Sequence, residues 1–272
     1  MNSNKNLEQY IGFINTPPLF NTPNILLEYK LFFTNELPNK IILNQNPKPK
    51  LMLGKRAEHY FKQYLNSNAI YAILKENVQI YKNKTTIGEL DFIIQNFKTK
   101  KNIHVELTYK FYLYDPNFGS SEIENWVGPN RNDSLSLKLN KLNNKQFPLL
   151  YKQETKQTLT DLNMDTIEQQ VCFKAQLFIP YSISPIKFQY INSKAIKGYY
   201  INYLEFIDIL FQKNQIYIPS KQDWLITPNN SVDWISQSES LKTILPSIQN
   251  KKSPLIWIKN TNTITPWFIT WW

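Results

Sequence analysis

Between residues 51 and 66 the apolar positions fall at helical spacing. Ala57, Tyr60, Phe61, Tyr64 and Leu65 occupy i, i+3, i+4, i+7 and i+8, which predicts an amphipathic helix with one buried face and Glu58 at its edge. Strand-like runs follow at 76–82 and 85–95, separated by the turn-forming pair Asn83-Lys84. A basic loop, NFKTKKN, leads to a third strand at 103–114, where the alternation is cleanest. There Ile103, Val105, Leu107, Tyr109, Phe111 and Leu113 point one way, and His104, Glu106, Thr108, Lys110 and Tyr112 the other. A loop bearing Pro116, Gly119, Gly128 and Pro129 precedes a helix over about 133–146, with Asp133 as its expected N-cap and Leu135, Leu139 and Leu142 as its buried stripe. Residues 165–181 read as a short helix running into a strand, and 182–272 as short strands with a helix near 203–213.

Breakers divide the chain. Thr16-Pro17-Pro18, Thr22-Pro23, Leu37-Pro38, Pro47 and Pro49 make residues 1–50 a segment of short helices expected to wrap the core, with 44–50 as a linker. The expected organisation is therefore a wrapping segment at 1–50, a core at 51–181 and an aromatic-rich extension packed on it at 182–272. Trp257, Trp267, Trp271 and Trp272 alternate with apolar residues in that extension; core or interface packing is their default use, and the Trp271-Trp272 pair is expected to be tucked against its domain.

Composition narrows the chemistry. An apolar content of 42% over 272 residues supports a real core and excludes a wholly disordered chain. With a single cysteine, Cys172, a disulfide framework or a thiolate zinc site is ruled out, and two histidines leave little for an imidazole cage. No run approaches the ~18 apolar residues of a membrane span, and the polar start MNSNKNLEQY lacks a secretory apolar region. A cytoplasmic protein with no membrane partner is the resulting expectation. The net charge of +10 favours a polyanionic partner such as nucleic acid, although Lys, Asn and Ile are plentiful throughout.

The carboxylates on the two strands carry the candidate chemistry. If 85–95 and 103–114 form a hairpin closed symmetrically with Gln95 opposite Asn102, then Asp91 stands opposite Glu106, Glu89 opposite Thr108 and Ile87 opposite Lys110. Like charges directly opposed across a sheet destabilise it. A divalent cation would offset the repulsion, and Mg²⁺ favours one or two carboxylates with several retained waters. Alternatively, these groups line a solvated sheet face, paired with Lys110 or with lysines of the turn. Glu58 has a bland reading too, as an exposed helix residue paired with Lys62 at i+4. His104 shares the carboxylates' face, and Lys138, Lys141 and Lys145, at i, i+3 and i+7, form with Arg131 a basic surface able to track a phosphate backbone, or simply a solvated one.

Several strings carry a family resemblance: Leu53-Gly54 with Glu58-His59-Tyr60-Phe61, then Ile87-Gly88-Glu89-Leu90-Asp91-Phe92, then His104-Val105-Glu106-Leu107 with Lys110-Phe111-Tyr112-Leu113, and Gly128-Pro129-Asn130 with Asp133, Leu135, Lys138 and Leu139. Their order resembles the PD-(D/E)XK nuclease superfamily, and the GELDF segment its RecB-type branch. The match is closer still to a bacterial family of that clan, domain of unknown function 1853. The resemblance implies an α/β fold with a restriction-endonuclease-like core, ordered α-β-β-β-α-β around a mixed central sheet. It implies metal-dependent hydrolysis of phosphodiester bonds in DNA or RNA, with Mg²⁺ or Mn²⁺ held by Asp91, Glu106, the Leu107 carbonyl and Glu58, and with Lys110 orienting water or neutralising charge. One departure stands out. The superfamily lysine normally lies two residues after the strand glutamate, where this chain has Thr108; Lys110 is two residues further along the same face. The same resemblance therefore admits an inactive fold that binds nucleic acid or protein, and a scaffold without either role is a third reading.

Overall fold

The computed structural model describes residues 2–22, 27–34, 41, 43, 46–48, 50–182, 186–208 and 214–272. In chain order its elements are α1 (Asn2–Asn15), β1 (Lys30–Leu31), α2 (Leu53–Asn66), β2 (Tyr71–Lys82), β3 (Thr85–Asn96), β4 (Lys101–Tyr114), β5 (Trp126–Val127), α3 (Leu135–Lys141), α4 (Gln153–Thr158), β6 (Glu168–Pro180), β7 (Ile196–Asn202), α5 (Tyr203–Asp208), β8 (Gln215–Tyr217), α6 (Gln237–Gln249), β9 (Leu255–Lys259) and β10 (Ile264–Thr270). The fold is mixed α/β. Pro23, Leu37, Pro38 and Pro49, and the 209–213 end of the helix expected near 203–213, lie outside the described residues. The chain forms two compact units, one of residues 1–109 and 137–174, the other of 110–136 and 175–272. Among the described residues no helix is long and apolar enough to cross a membrane.

In the first unit the strand order is β2-β3-β4-β6, with β1 added parallel to β6. The β2–β3 and β3–β4 pairs are antiparallel, and Asn83 and Lys100 take positive φ in the two connecting turns, at 55° and 57°. Helix α2 buries the expected stripe of Ala57, Tyr60, Phe61, Tyr64 and Leu65, and Phe61 meets Phe92 of β3 edge-to-face at 5.1 Å. A separate cluster joins Ile80, Leu90 and Ile93 to Leu149, Leu150, Leu159, Met164 and Ile167. The polar side of β4 is thus no solvated sheet surface: His104, Glu106 and Thr108 are as buried as Val105, Leu107 and Tyr109.

Among the described residues of the 1–50 segment, α1 forms a helix of 14 residues. Tyr10, Phe13 and Ile14 of α1 are buried. The Tyr60 hydroxyl and the Arg56 guanidinium both donate to Gln9 Oε1, at 2.6 and 3.0 Å. The end of α1 is closed by a lysine from β6: Lys174 Nζ donates to the carbonyls of Ile14 and Thr16 at 2.9 and 2.6 Å and lies 5.4 Å from the centre of the Phe13 ring.

After α3 the helical path widens into a π-turn at Leu142–Gln146 and then tightens into a 3-10 turn at Phe147–Tyr151. The stripe of Leu135, Leu139 and Leu142 is buried as expected. Asp133 is not the cap of α3, which begins at Leu135; its side chain instead accepts the Ser134 backbone N–H at 3.0 Å and the Lys110 ammonium. The helix expected before β6 shrinks to a 3-10 turn at Met164–Thr166.

In the second unit the order is β6-β7-β10-β9-β8. β7 pairs parallel with both β6 and β10, and β9 pairs antiparallel with β10 and β8. Its core joins Ile201, Phe206, Ile216, Ile244, Ile256, Ile258, Trp267 and Ile269. Trp257 is likewise buried. Trp272 Nε1 donates to the Pro129 carbonyl at 3.1 Å and the Arg131 guanidinium lies 3.8 Å from the centre of its ring, so the terminal tryptophan is tucked in as expected. Helix α6 starts with a capping box between Ser236 and Glu239, an element not anticipated from the sequence.

Gly88 controls how closely the 3-10 turn approaches β3, since a Cβ there would come within 2.5 Å of the buried Leu149 Cδ2. Gly88→Ala is therefore expected to destabilise the first unit by about 1–3 kcal/mol through overpacking. Gly54→Ala, with nothing within 4 Å of the added Cβ, should be neutral or stabilising by up to ~1 kcal/mol. Urea unfolding of the two variants checks both signs.

Candidate functional site

The β3–β4 hairpin has the register that symmetric closure predicts, with Gln95 opposite Asn102, Ile94 opposite Ile103 and Phe92 opposite Val105. The ladder stops there, one step short of Asp91 and Glu106. Beyond it the Leu107 backbone N–H turns to a side chain and donates to Asp91 Oδ2 at 2.9 Å. The expected ladder partnerships of Glu89 with Thr108 and of Ile87 with Lys110 therefore do not form, because a carboxylate has taken over a backbone donor. Asp91 is 8% exposed and Glu106 fully buried.

Glu106 is held from both sides. Its Oε1 lies 3.0 Å from His104 Nε2, and its Oε2 accepts the Gln146 side-chain amide. The tautomer of His104 follows from its other neighbour. Gln169 Nε2 donates to the Phe147 carbonyl at 2.8 Å, which fixes the amide, and the same nitrogen lies 3.1 Å from His104 Nδ1. Nδ1 is therefore the acceptor, and Nε2–H donates to Glu106. Burial lowers the His104 pKa to about 4, so the imidazole is a neutral donor at physiological pH.

The carboxylates resist ionisation. Burial, reinforced by the charge of Glu106, raises Asp91 to about 7 against the pull of the Leu107 N–H and of Lys138 and Lys55. Burial also raises Glu106 to about 7, opposed by Lys138, Lys141 and Gln146. Glu58 is raised to about 7 as well, chiefly by burial, with Asp91 and Glu89 adding to the shift. The structure thus couples Glu58, from α2, to the strand pair. Glu58 does not pair with Lys62, which binds Glu76; its partner is Lys55, one turn earlier, at 2.7 Å. Lys55 also reaches Glu89 at 2.7 Å, and Gln79 donates to the same Glu89 carboxylate.

The basic candidates separate. Lys138 is half-buried and donates to Gln146 Oε1 at 2.7 Å, which links it to Glu106 through the Gln146 amide. Lys141 and Lys145 are exposed, and the π-turn that starts at Leu142 breaks the helical spacing that would align Lys145 with them. Lys110 and Arg131 belong to the second unit, where the first binds Asp133 and the second binds Asp115 and stacks on Trp272. Lys55 and Gln169 have no role assigned from the sequence, and Gln146 only that of a base or phosphate contact that no pattern singles out. For Lys55 a signal existed, its i, i+3 spacing to Glu58; for the two glutamines the contacts span 40 and 65 residues and no local pattern marks them.

No group of three His, Cys, Asp or Glu side chains gathers as a metal cage among the described residues. The donor set at Asp91 and Glu106 is of another kind: two hard oxygen ligands, as suits Mg²⁺ or Mn²⁺ with retained waters. Thr108 Oγ1, on the Glu106 face of β4, is buried without a hydrogen-bond partner, an orphaned group that an ordered water would satisfy.

Over residues 34–264 the chain matches a protein-family model described as a domain of unknown function, DUF1853. No curated protein matches the chain significantly, and no solved structure does.

A carboxyl whose pKa is raised by folding holds its proton more tightly in the native state. Its stabilising contribution is complete below the ordinary carboxylate range and is lost as pH rises through the folded value, here about 7 for Asp91 and Glu106. Urea unfolding in EDTA should therefore show stability falling between pH 5 and pH 8. Asp91→Asn keeps an acceptor for the Leu107 N–H and carries no charge; it should be more stable than wild type at pH 8, on the order of 3 kcal/mol. A less stable Asp91→Asn protein at pH 8 would contradict the account.

Proposed function

The chain belongs to this DUF1853 family, and we propose that it is a metal-dependent hydrolase of phosphodiester bonds in DNA or RNA, built on a restriction-endonuclease-like core. The element order supports the core: α2, β2, β3, β4, α3 and β6 succeed one another as α-β-β-β-α-β, with β5 and α4 as additions. The observation that carries the activity is the buried, mutually repelling pair of Asp91 and Glu106, whose low exposure removes the bland account of a solvated ion pair.

In this reading Asp91 and Glu106 would hold Mg²⁺ or Mn²⁺ with the Leu107 carbonyl as a further oxygen donor, and Glu58, which does not gather with them as a third ligand, would be an outer or second-metal carboxylate. The chemistry supplied by the ion when bound is activation of water and stabilisation of charge on the phosphate. The chain's own groups do the positioning. Neutral His104 fixes one oxygen of Glu106 without adding a competing charge. Thr108 offers its unpartnered hydroxyl to a water on the same face. Lys55 holds Glu58 and Glu89 together. The exposed Lys141 and Lys145 supply non-specific contacts to a phosphate backbone.

A second reading is a catalytically inactive fold that binds nucleic acid or protein. What favours it is that both oxygens of Glu106 already accept donors, from His104 and Gln146. Cleavage assays separate the two. Single- and double-stranded DNA and RNA are incubated with Mn²⁺ or Mg²⁺, comparing wild type with Asp91→Asn. The hydrolase reading expects cleavage that falls at least ~100-fold in the variant. Equal background in both proteins, with salt-dependent nucleic-acid binding that survives the substitution, selects the binding module.

A further inference from the structure

We infer that Lys138 is the residue that meets the scissile phosphate, delivered from a helix and not from strand β4, and that the π-turn after α3 is what aligns it with Gln146 and so with Glu106. The inference rests on the hydrolase reading and supplies the cation that this reading lacks.

The strand position two residues after Glu106 is Thr108, which carries no charge. The next lysine on that face, Lys110, has its ammonium on Asp133. Lys138 is placed differently. Its Nζ donates to Gln146 Oε1 at 2.7 Å, while the amide nitrogen of the same Gln146 donates to Glu106 Oε2. One glutamine thus ties the lysine to the buried carboxylate. The charge of Lys138 also acts on both Asp91 and Glu106.

The backbone accounts for the meeting. Residues 138 and 146 are eight positions apart, and a straight α-helix would turn ~800° between them, leaving the two side chains ~80° out of line. Leu142–Gln146 is a π-turn, in which hydrogen bonds run i→i+5 and each residue advances through a smaller angle. The widened turn removes the offset, so Lys138 and Gln146 share a face. Lys138 is half-buried, and one acceptor of its ammonium is the neutral amide oxygen of Gln146. A phosphate oxygen is a stronger acceptor for an ammonium than that amide. An arriving phosphodiester would take the ammonium from Gln146, whose amide nitrogen stays on Glu106, and Lys138 would neutralise the charge that develops on the phosphate.

Two measurements on the full chain test the assignment: Mn²⁺ affinity by electron paramagnetic resonance without nucleic acid, and cleavage at saturating Mn²⁺. Lys138→Met keeps the stem and removes the charge. It should bind Mn²⁺ several-fold more tightly, because a positive neighbour of the carboxylates is gone, and yet cleave ~100-fold more slowly. Lys138→Arg should restore the weaker Mn²⁺ binding and part of the rate. Lys75→Ala, which removes a surface pair with Asp161, should match wild type in both. A merely structural role would not move affinity and rate in opposite directions. Wild-type affinity and rate in Lys138→Met would overturn the inference, as would cleavage lost in Lys110→Ala but retained in Lys138→Met. If wild type binds Mn²⁺ but cleaves nothing, the hydrolase reading fails, and the inferred phosphate role of Lys138 falls with it.

Discussion

Two carboxylates placed against one another and largely withdrawn from solvent impose the main demand on this architecture. In bulk solvent Asp91 and Glu106 would repel weakly; in a low-dielectric interior the repulsion is larger and solvation no longer offsets it. The surroundings answer with donors. Leu107 gives a backbone N–H, His104 an imidazole N–H and Gln146 an amide. Each comes from a different arrangement of the chain: the end of a ladder, a strand face, a widened turn. Further out, Gln169 fixes the histidine tautomer and Leu149 packs over Gly88 to hold the turn against β3. Satisfying that pair organises much of the first unit, from the early end of the β3–β4 ladder to the departure from α-helical geometry after Lys141.

How far this was legible in the sequence depended on the range of the forces involved. The stripe from Ala57 to Leu65, the three strands and the register from Gln95–Asn102 to Phe92–Val105 are local consequences of periodicity and turn closure, and they were readable. The end of the ladder was not, because a side chain had to outcompete a backbone acceptor for the Leu107 N–H. Nor was the burial of His104, Glu106 and Thr108, whose covering residues include Gln146, Phe147 and Gln169 from far along the chain. For Glu58 the choice between Lys55 and Lys62 could not be made on helical spacing, since both are within reach; Glu89 and Glu76, on neighbouring strands, divided the two lysines between them. The Ser236–Glu239 capping box is the opposite case, a purely local signal for the start of α6.

The lysine that closes α1 bears on when the protein can finish folding. Lys174 and the Ile14 carbonyl it binds are 160 residues apart. At a synthesis rate of roughly 5–20 residues per second, the carbonyls at the end of α1 wait on the order of 10–30 s for their partner to be made. Through that interval the Phe13 ring and the carbonyls of Ile14 and Thr16 lack the Lys174 ammonium they meet in the finished protein. Helix α1 is therefore made long before it is secured. Its apolar residues Tyr10, Phe13 and Ile14, buried in the finished protein, need shielding while that partner is still unmade.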